Sequence, residues 1–125
     1  MKQHEAWLFK AENDLKSARK LMDGEPSVPD TAIYHAQQCA EKALKAYLSF
    51  KLQPVQRTHD LEFLVELCSG IDAGFNRLSE HAKTLTPYGA AFRYPDIILV
   101  PDKEDVFEAI EKAAEVLSFV KRVIG

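Results

Sequence analysis

Apolar residues recur along this chain at spacings of three and four, the interval that places side chains on one side of an α-helix. Trp7, Ala11, Leu15, Ala18 and Met22 form the first such stripe, and Lys10, Glu12, Lys16, Arg19 and Lys20 cover the opposite side. The pattern predicts a helix from about His4 to Met22, stopped by Asp23-Gly24, with Pro26 and Pro29 keeping the connection non-helical. A second helix is predicted from Thr31 to Leu52, capped by Asp30 or Thr31 and free of glycine and proline. Its stripe runs through Ala32, Ala36, Ala40, Ala43 and Tyr47, and side chains this small let another helix come close. Thr58 or Asp60 caps a third helix carrying Leu61, Leu64, Leu67, Cys68 and Ile71, and a fourth is predicted over about Phe75 to Leu85, before Pro87. Asp102 caps the last, from about Lys103 to Val123, with Val106, Ile110, Ala113, Leu117 and Val120 inward.

One long stretch breaks the helical period. Thr86 to Pro101 contains Pro87, Gly89, Pro95 and Pro101. Ile97 to Val100 has the composition of a short strand, but a lone strand has no partner to pair with, so the whole stretch is read as loop. The elements add up to an all-α chain, an up-and-down antiparallel bundle of about five helices, expected to form one domain over residues 1–125.

Composition narrows the function classes. Hydrophobic residues at 46% and charged residues at 28% are ordinary for a globular chain. A net charge of -3 argues against a strongly basic surface for duplex nucleic acid, although Lys42, Lys45, Lys51 and Arg57 can still form a local basic face. No apolar run approaches the roughly 20 residues needed to span a bilayer. Residues 1–10 lack a signal-peptide core, so the cytoplasm is the expected location and no membrane contact is expected. Cys39 and Cys68 fall inside apolar helical patterns and read as small buried thiols. With no C-x-x-C and no H-E-x-x-H, neither a metal nor a cofactor is expected.

The chemistry-bearing residues are few. His4 sits at a helix start and reads as solvated, and His35 flanks the second stripe. His59, beside a cap, can donate to a backbone carbonyl and fix a turn. His81 stands four positions after Arg77, so the two share a helical face. There an arginine could hold a phosphate while the histidine moves protons, and two solvated residues explain the same spacing. No G-x-S-x-G and no Gly-rich phosphate loop is present. In the loop, Tyr88, Phe92, Arg93 and Tyr94 crowd together just before Asp96. The arginine fork suits phosphate or carboxylate and the rings offer stacking faces, which makes Arg93, Tyr94, Tyr88 and Asp96 candidate ligand-binding residues. The alternative is that Arg93 pairs with Asp96 or a helix end and pins the loop.

In order and spacing the chain resembles the HEPN family. Trp7, Ala11 and Asp14-Leu15 come first, then Ala36-Gln37-Gln38 with Ala40 to Ala46, then Thr58-His59-Asp60-Leu61, then Tyr88 and Arg93-Tyr94-Pro95. The resemblance implies a short helical bundle that forms homodimers. It also implies a place beside a minimal nucleotidyltransferase partner in toxin–antitoxin-like pairs, and nucleotide or RNA as ligand. Many relatives are metal-independent ribonucleases using an arginine and a later histidine with four to six residues between them. Here no histidine follows Arg93, and Arg77 and His81 are one residue short of that spacing. The favoured expectation is therefore a nucleotide- or partner-binding module centred on Arg93. A ribonuclease using Arg93 with His59 or His81 is the first alternative, and a helical interaction protein without a small-molecule site is the second.

Overall fold

The computed structural model describes residues 1–95 and 99–125, and among them every regular element is helical. Helix α1 spans Gln3–Asp23, α2 Pro29–Phe50, α3 Leu61–Ile71, α4 Ser79–Leu85 and α5 Lys103–Ile124. Two 3-10 segments, Ala73–Leu78 and Thr86–Gly89, bracket α4. The long helices form the up-and-down bundle expected from the periodicity, with α2 at the centre against α1 on one side and α5 on the other.

The alanine stripe puts α2 there. Ala32, Ala36, Ala40, Ala43 and Ala46 are all fully buried, as are Ala11 and Ala18 of α1 and Ala109 and Ala113 of α5, the two helices that α2 packs against. Small side chains on facing helices bring the backbones near enough for dense packing. At one end of the bundle, Tyr47 packs on Phe75 with centroids 4.4 Å apart, and Phe75 on Phe119 at 4.8 Å. This aromatic chain ties α2, the first 3-10 segment and α5 together.

Several boundaries differ from the sequence expectation. Pro29 does not hold α2 off; it is the helix's first residue, where a missing N–H costs nothing, and Val28 rather than Asp30 or Thr31 is the N-cap. At the other end α2 stops at Phe50, because Leu52 turns left-handed with φ 58° while Gln53 N–H donates to the Leu48 carbonyl. Asp60 caps α3 through a bond from the Phe63 N–H, and Thr58 Oγ1 accepts from the Asp60 N–H. The predicted fourth helix is a 3-10 segment over Phe75 to Leu78 followed by true α-helix. Asp102 stands at the N-cap of α5 but makes no side-chain cap bond.

The stretch read as loop begins as structure. Thr86–Gly89 is a 3-10 turn, with Pro87 supplying the fixed φ and Thr86 Oγ1 donating to the Ala82 carbonyl while accepting from the Leu61 N–H. From Ala90 the chain is irregular as far as it is described, and Leu99 to Asp102 lead without regular structure into α5. No helix among the described residues is long and apolar enough to cross a membrane.

Candidate functional site

Helix α2 carries a polar ladder inside its apolar pattern. Gln37, Glu41 and Lys45 follow at intervals of four, so they rise along one side of the helix. All three are buried, at 0%, 3% and 9% exposure. Burying such groups is costly unless every donor and acceptor is met. Here Glu41 Oε2 accepts from Lys45 Nζ at 3.0 Å and Oε1 from His59 Nδ1 at 2.8 Å, with longer bonds from the amides of Gln37 and Gln38. Gln38 also donates to Gln37 Oε1 at 2.8 Å, and Gln37 donates to the His59 carbonyl at 3.2 Å. Lys45 Nζ lies 5.7 Å from the centre of the Trp7 ring.

The ladder holds two connections against α2. His59 is gripped through both its imidazole and its carbonyl. On the other side, Gly89 lies flat on the Gln37 amide: a Cβ at this position would come within 3.1 Å of Gln37 Cδ. A side chain there would have to push the bonded amide aside. Between these connections and α2 opens a cleft of about 440 Å³, lined by Tyr34 and Gln38 from α2, by His59, and by Arg93 and Tyr94 from the loop. The Arg93 guanidinium sits 4.2 Å over the Tyr34 ring. That contact is a cation–π stack which orients the planar fork and leaves its edges to form hydrogen bonds.

The geometry gives His59 a defined form. A carboxylate only accepts, so Nδ1 carries a proton directed toward Glu41 and Nε2 is the ring nitrogen turned away from it. The His59 side chain is 78% exposed while that of Glu41 is 4% exposed, so a buried carboxylate aims an accessible imidazole. Asp14 does a comparable job between α1 and α2, accepting from His35 Nδ1 at 2.8 Å and Lys42 Nζ at 2.7 Å. Lys42 and Lys45 both turn to buried carboxylates, which takes two of the four residues out of the basic face suggested by the sequence.

Residues 4–123 match the HEPN domain model. The chain belongs to the HEPN family. It is 30% identical to an archaeal HEPN homologue of known crystal structure, with all of both chains covered and a TM-score of 0.77. It is also similar to a protein from Thermus thermophilus of known crystal structure, at 29% identity over 98% of both chains with a TM-score of 0.83. No curated protein matches the chain.

On this HEPN framework the sequence candidates are sorted by place. Arg93, Tyr94 and His59 come together in the cleft. Tyr88 does not line it: the half-buried ring stacks on Phe92 at 6.2 Å, and its hydroxyl is pushed above its ordinary pKa by burial and then by Asp105 and Glu108 of α5. Asp96 lies outside the described residues, as do Ile97 and Ile98. His81 is in a separate cleft, where Nε2 bonds Glu115 Oε2 at 2.6 Å and Nδ1 is buried with no hydrogen-bond partner. Arg77 lines that same cleft, though it belongs to the 3-10 segment and His81 to α4. His4 packs edge-on against Phe50 at 5.1 Å.

Sequence reasoning missed Tyr34, Gln38 and the buried Gln37, Glu41 and Lys45. The one available signal was a polar residue every four positions along an otherwise alanine-rich helix. Cys39 and Cys68 are buried and free, and burial pushes both thiols up to about 12, which makes them poor nucleophiles. Among the described residues no three His, Cys, Asp or Glu side chains gather as a metal site.

Proposed function

We propose that this HEPN domain is a binding module for a nucleotide, with the Arg93 cleft as its site. The observation that carries the reading is the Arg93–Tyr34 stack at the wall of a 440 Å³ cleft. A fixed guanidinium fork suits a phosphate, Tyr94 offers a ring, exposed at 63%, for a base, and Gln38 supplies an amide that can donate or accept. The volume falls within the usual range for small-molecule sites, roughly 300–1,000 Å³.

The reading extends to assembly. A homodimer is proposed, with a minimal nucleotidyltransferase as the partner of a toxin–antitoxin-like pair; what supports both is family membership. The test is thermal unfolding with ATP and, separately, with a co-expressed nucleotidyltransferase. A ligand at a hundredfold excess over Kd adds about 2.7 kcal/mol of stability, easily seen as a rise in Tm. Arg93→Ala should abolish the nucleotide shift. No shift with either nucleotide or partner, beyond buffer controls, defeats the proposal.

A second reading has its own observation. His59 lines the same cleft as Arg93 and is oriented by the buried Glu41, an arrangement suited to moving a proton beside a bound phosphate. Metal-independent RNA cleavage follows if the cleft takes a phosphodiester. Activity that survives EDTA and disappears in both Arg93→Ala and His59→Ala supports this reading; rigorously purified protein that leaves RNA intact refutes it.

A further inference from the structure

The Arg77–His81 relationship picked out from the sequence lies at a second and larger cleft, which the Arg93 site does not use. It opens between the α4 region and α5, measures about 470 Å³, and has the buried ring of Phe119 at its base. Two guanidiniums converge on that ring, Arg77 at 5.7 Å and Arg122 at 5.5 Å from its centroid. The ring in turn is locked edge-on against Phe75. Contact with one ring therefore holds two like charges in the lining of one cleft, where each repels the other unless an anion offsets them.

The remaining charges do not supply that anion. Glu115 is engaged with His81 at 2.6 Å. Glu111 lines the cleft but makes no ion pair with either arginine among the described residues, and neither arginine has any carboxylate within ion-pairing distance there. The lining holds two guanidiniums and two carboxylates, Glu111 and Glu115, and since neither carboxylate pairs with an arginine among the described residues, both guanidinium forks are free to take a ligand. The Ser118 hydroxyl adds a donor at the rim.

We propose that this cleft is a second anion site, binding the phosphate group of a small phosphorylated molecule between the forks of Arg77 and Arg122. Phosphate oxygens can accept from both forks at once, and the volume leaves room for a mononucleotide-sized body beyond the phosphate. Phe119 is too buried to stack a base, so the site reads the phosphate rather than the group attached to it.

The test is an NMR titration of the full chain with inorganic phosphate and, separately, AMP, followed at the backbone amides. Binding should move Arg77, Ser118, Phe119 and Arg122 with either probe, and more tightly with AMP if the body of the molecule contributes. Arg77→Gln and Arg122→Gln should each weaken binding about tenfold. If a glutamine variant unfolds, Arg77→Lys keeps a cation on Phe119 but loses the fork, and it too must bind more weakly. Arg93→Ala should leave these four amides responding as before, so failure at this cleft and failure at the Arg93 cleft are read separately. Silence at the four amides overturns the proposal. So does equal weakening by Arg57→Gln, an exposed arginine elsewhere, which reports diffuse charge attraction only.

Discussion

Replacing Glu41 with glutamine removes one charge at nearly constant shape. In the native chain its carboxylate meets Lys45, His59, Gln37 and Gln38, and the Glu41 and Lys45 side chains are 4% and 10% exposed. Glutamine keeps one acceptor oxygen but turns an NH2 toward either Lys45 or His59, both of which are donors there. The Lys45 ammonium then has no carboxylate and almost no water. Breaking a buried pair from one side costs roughly 3–5 kcal/mol. The lower end applies, because the Trp7 ring still faces Lys45 and returns about 0.5–1 kcal/mol. The expected loss is therefore about 3 kcal/mol, or roughly a 10 °C fall in Tm for a chain of this size. Urea unfolding followed by circular dichroism measures it directly, with a midpoint lower by roughly 2 M at an m-value near 1.5 kcal/mol/M. Lys45→Met costs less, since Glu41 keeps His59 and two amides, and Glu41→Gln with Lys45→Met together should fall short of the sum by about 2 kcal/mol. A Glu41→Gln loss below about 0.5 kcal/mol, or strict additivity, would show that the ladder is not a coupled unit.

Two further predictions concern stability away from the clefts. Leu52 is 91% exposed with φ 58°, so Leu52→Gly removes a strained left-handed residue at little burial cost and should raise stability by about 1 kcal/mol in the same urea assay; a fall would contradict this account of how α2 ends. For the thiols, the folded pKa lies near 12 against an ordinary 9.0, so the neutral form is the one the fold favours. Their contribution is complete below pH 9 and is lost as the pH climbs from there toward 12, by about 1.4 kcal/mol per thiol at pH 10. The stability drop between pH 8 and pH 10 should shrink in a Cys39→Ala, Cys68→Ala chain, and an undiminished drop would place the sensitivity in other groups.

Much of the architecture was legible in the order of residues alone. Stripes at spacings of three and four located the helices, because each must bury one side, and the alanine run marked α2 as the helix others approach closely. Some ends were misread where local chemistry offered two solutions: Pro29 can precede a helix or begin one, and Leu52 fits an apolar helical pattern but ends the helix because Gln53 bonds back to Leu48. The loop held a 3-10 turn that its prolines concealed.

The site was legible only in part, for a physical reason. Arg93 and its aromatic neighbours stand out as local composition. Its partner surface, Tyr34, lies far earlier in the chain on α2, and no pattern along the sequence says that this guanidinium and this ring will stack. In the same way the sequence determined that Gln37, Glu41 and Lys45 share a helical side, but only the packed structure decided that this side faces inward, where desolvation forces each group to find a partner. That requirement seats His59 in the Arg93 cleft and leaves His81 in another. Helix formation is set by neighbours within a turn, so sequence alone determined the bundle. The clefts depend on contacts between residues far apart along the chain, which only the tertiary structure brings within reach.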